Sequence, residues 1–275
     1  MTLSTIRNNP AKQKKVKTKK QKAIAATCAV AFWLLVWHVV SLCVGSELVL
    51  VSPVKVVQTL FTVIFDPDFL KTVWYSAARI LGGFFIALTL GTVLGWVASR
   101  FWVVETLLRP ITAVIKATPV ASFIILVLLW FSGKNLSVII SMLMVFPVIY
   151  MNVLEGIRSA DEKLLEMAQV FRLSVSKKLL YIYLPAVAPF FVSACSVSLG
   201  LCWKSGIAAE VIGTPDGSIG AVFYQAKIFL QTIELLAWTV VVVAVSVACE
   251  KLFMFLLRLI LKKLKMEDVL NGKRA

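Results

Sequence analysis

The chain has 275 residues, of which 60% are hydrophobic and only 16% are charged, and its mean hydropathy is +0.90. A soluble domain is usually about 45–50% apolar and about 25% charged. A soluble enzyme, a disulfide-stapled scaffold and a disordered chain are therefore excluded for most of the sequence. The net charge of +15 would suit a protein that binds nucleic acid. The distribution of that charge along the chain decides whether it has this role.

Long uncharged runs predict the membrane-crossing helices. A helix needs roughly 20 residues to cross the hydrocarbon core, and apolar runs without charge occupy residues 23–46, 80–99, 117–133, 135–154, 179–203 and 235–249. The last run continues past a Glu-Lys pair into a further apolar stretch. We predict an all-α polytopic membrane protein with about six transmembrane helices. Their predicted positions are 23–44, 73–99, 117–131, 135–153, 186–209 and 235–257.

The basic residues lie mostly on one side of this arrangement. With the N-terminus in the cytosol, 23 of the 29 Lys and Arg residues fall in cytosolic segments. The other six lie in external segments, which also contain six acidic residues. The whole net charge then lies inside, and the positive-inside rule predicts that both termini are cytosolic. We interpret these cations as topology determinants and contacts for anionic membrane lipid, and we expect no nucleic acid as a partner.

The ends of the chain are predicted to be cytosolic tails. Residues 1–22 are basic and polar, with seven lysines between Lys12 and Lys22. The apolar run that follows is too long for a signal-peptide core and has no small-residue cleavage site, so it is interpreted as the first span. Residues 23–265 are the predicted transmembrane domain, and residues 266–275 are the second tail.

The external segment 54–61 has helical spacing and is predicted to lie along the membrane surface.

The second span has a small residue at every fourth position. These residues are Gly83, Ala87, Gly91 and Gly95. Such a stripe lets two helix backbones approach closely in lipid, so it predicts a tight helix–helix contact. The following segment, 100–116, is predicted to be a short internal turn, because Pro110 and Pro119 bracket the entry to the third span.

The longest cytosolic loop, about 155–185, contains an amphipathic helix at 161–172. Its apolar stripe consists of Leu164, Leu165, Ala168 and Phe171. A second short helix can begin with Ser174 or Ser176 as N-cap and end before Pro185. Two short helices on the basic side of the membrane predict a docking knob whose stripe is buried against a partner. The alternative is a pair of helices that lie on the lipid surface.

At this loop the chain resembles the permeases of ABC importers, the membrane subunits of bacterial binding-protein-dependent transport systems. Glu166-Met167-Ala168, Arg172, Ile182 and Leu184-Pro185 match the signature E-A-A-x-x-x-G-x9-I-x-L-P with its spacing intact. Met167 stands where the family usually has Ala, and Arg172 where it usually has Gly. A left-handed turn costs a residue other than glycine about 1–2 kcal/mol, so this departure predicts a reshaped turn.

The resemblance extends from about residue 53 to residue 253. Ser76-x-x-Arg79-x-x-x-Gly83 and the segment 199–210 are similar to the branch that contains nitrate, sulfonate, taurine and thiamine-precursor permeases. It implies a type I ABC-importer permease fold in the bacterial inner membrane, and a homodimer that works with two copies of an ATPase subunit and an extracytoplasmic binding protein or lipoprotein. It also implies the residues that couple to the ATPase. These are Leu164, Glu166, Met167, Ala168, Phe171, Arg172, Ile182, Leu184 and Pro185.

In that family the permease hydrolyses nothing. The sequence contains no G-x-x-x-x-G-K-[ST] phosphate-binding motif, which agrees with ATP hydrolysis by a separate subunit. We therefore expect no enzymatic activity, no cofactor and no metal site. The function implied is a translocation path for a small, anionic or polar organic solute, driven by ATP.

Charged residues near the ends of spans are the candidates for the translocation path, namely Lys204, Glu210 and Arg79. Lys204 lies about one turn inside the predicted end of the fifth span, where it either meets an anionic substrate group or snorkels to the headgroups. Glu210 would reach it only if that helix ended early, near Ser205 and Gly206.

Two other classes of protein, an intramembrane enzyme and a membrane scaffold, are alternatives to a transport permease. An intramembrane enzyme would need paired carboxylates, a nucleophile with its base, or metal ligands at one depth. No two acidic residues share a span interior, and the single histidine, His38, has no carboxylate nearby in the sequence. A membrane scaffold would leave the coupling loop without a partner. The sequence favours a transport permease.

Overall fold

The computed structural model of the protein describes residues 19–46 and 48–264, so most of the two predicted tails lies outside the described residues. The described chain is helical. Its helices are α1 Lys19–Val44, α2 Pro53–Ile64, α3 Phe69–Arg100, α4 Trp102–Ala117, α5 Val120–Trp130, α6 Gly133–Arg158, α7 Glu162–Val170, α8 Val175–Lys178, α9 Leu184–Gly213, α10 Ile219–Ile228 and α11 Thr232–Lys263, with a π-helical turn at Leu179–Tyr183 between α8 and α9.

Five described segments are long and apolar enough to cross a membrane. They lie in α1, α3, α6, α11 and the run Val175–Gly213, which joins α8, the π turn and α9. A bent pair, α4 with α5, makes a sixth if it is taken as one span. The all-α polytopic architecture with about six spans is therefore confirmed. The surface segment predicted at 54–61 is also helical, within α2.

The third span differs from its prediction. Residues 100–116 are not a turn, because α4 fills them and continues through Pro110. The chain then bends by 109° before α5, which has only 11 residues. At 1.5 Å per residue α5 is about 16 Å long, roughly half of the hydrocarbon thickness. The sequence interpretation was wrong here because it treated Pro110 as a helix breaker, whereas the apolar spacing of α4 continues on both sides of it.

The small-residue stripe of α3 packs directly against α6, as predicted. A Cβ added at Gly83 would lie 2.4 Å from the carbonyl oxygen of Val138, and one at Gly91 would lie 2.9 Å from Cβ of Ile149. At Gly95 the nearest atom is a Val153 side-chain carbon at 3.0 Å. These distances leave no room for a side chain. Glycine at these positions is what allows α3 and α6 to approach each other.

The centre of the molecule is formed by α3, α6 and α9. Its largest cluster of buried side chains includes Ile80 and Phe84 of α3, Ile149 of α6, and Leu199 and Trp203 of α9. Small residues also line the contact between α6 and α9. A Cβ at Gly206 would lie 2.7 Å from the Ser141 hydroxyl, which itself donates to the Cys202 carbonyl at 3.2 Å.

The chain after α6 is more continuous than predicted. The fifth span was predicted at 186–209, but the helical run begins at Val175 and ends at Gly213. The loop that follows is short, because α10 begins at Ile219 with Ser218 as its N-cap. The hydroxyl oxygen of Ser218 accepts a hydrogen bond from the Ala221 N–H at 3.0 Å. The sequence pattern did not predict this helix.

Candidate coupling segment and translocation surface

The predicted coupling loop begins with a capped helix. The Asp161 carboxylate accepts a hydrogen bond from the Lys163 N–H at 2.9 Å, so it satisfies one of the free donors at the start of α7. Glu162 adds a second negative charge in the first turn, where the helix dipole favours it. Both features stabilise a helix of only nine residues, which would be marginal alone.

Arg172 ends α7 in the left-handed conformation, with φ of 48°. Its N–H donates to the Gln169 carbonyl at 3.0 Å, and the Leu173 N–H donates to the Ala168 carbonyl at 2.9 Å. This pair of bonds is a Schellman motif, in which glycine is the usual residue at the left-handed position. The predicted reshaping of the turn is therefore wrong, because the left-handed backbone is kept with arginine in it.

A small core holds this loop together. Ala168 is fully buried, together with Ala160 and Ile182, and Leu165 and Tyr183 pack against them. Ala168 was predicted to face the partner, and that prediction is wrong. Its methyl group faces the π turn of its own chain, because the same side of α7 that carries Leu165 packs inward.

The opposite side of α7 is apolar and exposed. Leu164 is 42% exposed, Met167 45%, Val170 79% and Phe171 71%. Val175, at the start of α8, is 80% exposed and extends this surface. We call these five residues the coupling knob. Val170 and Val175 were missed by the sequence analysis, although the spacing of 164, 167 and 171 already marks a second apolar face.

The π turn at Leu179–Tyr183 joins the loop to α9. Proline at 185 has no N–H to donate, and in an α-helix its ring would crowd the carbonyl of Tyr181. The wider π turn ends just before this position, with the Leu184 N–H bonded to the Leu179 carbonyl. We predicted that the second short helix would stop before Pro185. Instead, helical structure continues from α8 through the π turn into α9, which contains Pro185. Leu184 and Pro185 are partly buried in the first turn of α9.

At the other end of α9, Glu210 is fully buried in a polar network. The Ser76 hydroxyl donates to its Oε2 at 2.6 Å, and the Gly220 N–H donates to the same oxygen at 3.3 Å. The Ser76 oxygen in turn accepts from the Ile219 N–H at 2.9 Å. The carboxylate thus lies at the N-terminus of α10, where the helix dipole favours negative charge. We call this set the external carboxylate network, after the side of the membrane predicted for it.

This network excludes Glu210 from the surface on which a solute could move. The prediction that Glu210 lines the translocation path is therefore wrong, and so is its possible pairing with Lys204, since α9 does not end early. A Cβ at Gly220 would lie 2.2 Å from Cβ of Glu210. The close approach of α10 to α9 thus requires glycine at this position.

Arg79 has structural contacts as well. Its guanidinium donates to the Lys134 carbonyl and, at 3.4 Å, to Oδ1 of Asn135. It also lies 4.4 Å from the centre of the Tyr75 ring, in a cation–π contact. Arg79 therefore fastens α3 to the first turn of α6, and among the described residues it forms no hydrogen bond with Lys204 or Glu210.

Lys204 is the one path candidate that lies on an open surface. It is exposed on α9 in line with Ser193, Val197 and Gly200, at spacings that place all four on one helix face. Nine residues separate it from the end of α9 at Gly213, a depth of about 13 Å rather than one turn. Within residues 19–46 and 48–264 it forms no ion pair.

Comparison with known proteins decides the family. Residues 87–266 match the family described as binding-protein-dependent transport system inner membrane component. This match covers more than half of the chain. The protein belongs to this permease family.

Curated relatives share most of their length with it. The chain is 29% identical over 232 residues to the putative aliphatic sulfonates transport permease protein SsuC of Bacillus subtilis (strain 168), covering 83% of each chain. It is 34% identical over 217 residues to the protein of the same name in Escherichia coli (strain K12), covering 74% of this chain and 80% of the relative. Identity to the taurine transport system permease protein TauC of Escherichia coli (strain K12) is 27% over 220 residues, covering 78% and 80%.

Membership in a transport permease family agrees with the rejection of an intramembrane enzyme. It also identifies the protein as a multi-pass protein of the inner membrane and implies an ATPase and a binding protein as partners. The matched region of the permease includes the coupling knob, α9 and three members of the external carboxylate network, Glu210, Ile219 and Gly220. The sequence resemblance to ABC-importer permeases is confirmed.

The strained turn of this permease gives a first prediction. Arg172→Gly should relieve the left-handed backbone and stabilise the loop by about 1 kcal/mol, which lowers the population of the open loop about fivefold. Hydrogen–deuterium exchange of the α7 amides measures this directly. Arg172→Ala serves as control, because alanine removes the side chain but keeps the strain. Equal protection in the two variants would contradict a backbone origin.

Proposed function

We propose that this permease forms the translocation path of an ATP-driven importer and couples to its ATPase through the loop 161–185. The observation that carries the proposal is the coupling knob, an exposed apolar surface built on a rigid base. An apolar surface of this kind, rimmed by charge, is typical of a protein interface. Glu166 and Arg172, both exposed, supply charge beside it.

The construction of the loop favours docking to a protein over rest on the lipid surface. A helix pair that lies on lipid needs only one apolar face. This loop buries Leu165 and Ala168 in its own core and exposes a second apolar face. The N-cap at Asp161 and the Schellman motif at Arg172 fix the orientation of that face. A preorganised surface loses less conformational entropy when a partner binds.

The proposed complex contains two copies of this permease, two ATPase subunits and an extracytoplasmic binding protein or lipoprotein. The positive-inside distribution supports a cytosolic coupling knob and two cytosolic termini. In that orientation the external carboxylate network lies on the side from which a binding protein delivers its solute.

We propose a small organic anion as the solute class. The relatives above are named for aliphatic sulfonates and for taurine, both of which carry an anionic sulfonate group. Lys204 supplies a cation at a depth where an isolated charge costs roughly 2.5–3.5 kcal/mol and usually has a functional role. Two of the three exposed residues in line with it on α9, Ser193 and Gly200, are small, and the third is Val197.

This proposal predicts the behaviour of a Lys204 variant. Lys204→Met keeps the length of the side chain and removes its charge, so ATP-dependent uptake should fall about tenfold or more, equivalent to roughly 1.4 kcal/mol in the limiting barrier. Basal ATPase activity of the complex should remain. Lys204→Arg should retain part of the uptake, because the charge survives while the geometry changes.

The matched control is Lys227→Met, which removes an exposed lysine from α10 on the same side of the membrane. Uptake in this variant should stay near that of the unmodified complex. Wild-type uptake in Lys204→Met would mean that the Lys204 side chain extends to the lipid headgroups and does not line the path. A parallel loss of uptake and ATPase activity would indicate a packing role.

A further inference from the structure

Two adjoining cavities lie between α3 and the coupling loop. The first, of about 670 Å³, is lined almost entirely by apolar side chains, among them Val93, Val97, Leu180 and Val187. The second, of about 520 Å³, is lined by Ser99, Arg100, Gln169 and Lys178 together with apolar neighbours. Four residues line both cavities, which therefore form one groove. These residues are Trp96, Ile157, Leu179 and Tyr183.

The groove is amphipathic along the membrane normal. Its apolar part begins at Thr92, eight residues and about 12 Å along α3 from Arg100 at its polar end. One leaflet of the hydrocarbon core has a thickness of roughly 15 Å, half of the full core. The apolar cavity therefore has the depth of an acyl chain in the leaflet next to the coupling loop.

An aromatic pair marks the boundary between the two parts. The rings of Trp96 and Tyr183 meet edge to face with their centres 5.6 Å apart. Trp and Tyr concentrate at the headgroup level of membranes, where one end of the side chain is apolar and the other is wet. Their position places the polar cavity at the headgroups.

The polar cavity is positively charged. Arg100 and Lys178 line it, and none of the described residues that line it is acidic. Neither cation forms an ion pair in the part of the chain that the structure describes. A second charged cavity, between α4 and α6, differs in this respect, because Arg158 there is paired with Glu105 at 2.6 Å.

From this geometry we infer that the groove binds one anionic phospholipid of the inner leaflet, with its phosphate between Arg100 and Lys178 and an acyl chain past Trp96 and Tyr183 in the apolar cavity. Charge complementarity selects an anionic headgroup, and the apolar cavity selects a molecule that also carries a chain. The site is built partly by the π turn, since Leu179 and Tyr183 belong to it. A bound lipid would therefore brace the base of the coupling knob against α3.

Native mass spectrometry of the full chain in detergent tests the inference, with phosphatidylglycerol and phosphatidylcholine as probes. Phosphatidylglycerol should be retained on the order of tenfold more than phosphatidylcholine. The double variant Arg100→Gln/Lys178→Gln should lose that preference. The matched control is Arg258→Gln/Lys263→Gln, which removes one arginine and one lysine from exposed positions on α11 and should keep it. Equal preference in the two double variants would overturn the site.

Two further measurements separate the lipid from other occupants. Val97→Trp, which places an indole ring in the apolar cavity next to Trp96 and leaves both cations in place, should also lower phosphatidylglycerol retention. Glycerol 3-phosphate, a headgroup without chains, should not displace the lipid at millimolar concentration; displacement would mean a phosphate site and overturn the lipid assignment. Release of the lipid when the ATPase subunit is added would assign the groove to the ATPase and would overturn it as well.

Discussion

Replacing Gly83 by leucine is expected to destabilise the protein by on the order of 3 kcal/mol, because the new side chain has no space. Even a Cβ at this position would lie 2.4 Å from the Val138 carbonyl oxygen and 2.9 Å from Cβ of Ser141. The two helices cannot simply move apart, since Gly91 fixes a second close contact with Ile149 further along the same interface. Thermal unfolding of the purified protein measures the effect as a lower Tm.

The control for this experiment is the neighbouring residue. Gly82 belongs to the same helix, and a Cβ there would meet nothing within 4 Å. Gly82→Leu should therefore leave the Tm unchanged or raise it slightly, because leucine favours a helix more than glycine does. A similar fall of the Tm in both variants would show that the loss of glycine in α3, and not the contact with α6, determines stability.

The second large effect is expected at the coupling knob. Phe171→Asp places a carboxylate on the surface that we propose to be buried by the ATPase, at a cost of about 2–5 kcal/mol in docking. Co-purification of the ATPase should be lost, while the yield of permease in the membrane stays the same. Phe229→Asp is the matched control, because Phe229 has the same exposure of 71% and lies at the end of α10, away from the loop.

The choice of Phe171 follows from the orientation of α7. Charge at Ala168 would disrupt the core that it forms with Ala160 and Ile182, so loss of the ATPase in Ala168→Asp would report unfolding of the loop as well as docking. Normal recovery of the ATPase with Phe171→Asp would contradict the coupling assignment. An equal loss with Phe229→Asp would trace the effect to insertion or folding.

The sequence predicted well those features that depend on local pattern. The long apolar runs located most of the spans, since a helix in lipid satisfies its own backbone and needs only length and hydrophobicity. The stripe of Gly83, Ala87, Gly91 and Gly95 predicted a close helix contact, because small residues have few other uses at that spacing. Neither prediction required knowledge of which helix would be the partner.

Features that depend on distant partners were not predicted. The Ser76–Glu210 bond joins residues 134 positions apart, and Gly220, the other donor to Glu210, lies in a helix that the sequence pattern did not predict. The inward orientation of Ala168 could not be chosen from α7 alone, because that short helix has apolar residues on two faces. The bend between α4 and α5 lies at Thr118 and Pro119, whose backbone is extended, whereas α4 continues through Pro110.

The unbroken helical run from Val175 to Gly213 has a mechanical consequence. Its 39 residues extend for on the order of 58 Å, with Ile182 near one end and Glu210 near the other. Gly206 and Cys202 pack closely on α6 within about two turns of Glu210. One helical run therefore carries part of the core of the coupling loop near one end and holds the N-terminus of α10 near the other. A displacement of the loop along the axis of this run would have to move α10 as well or break the hydrogen bonds of Glu210.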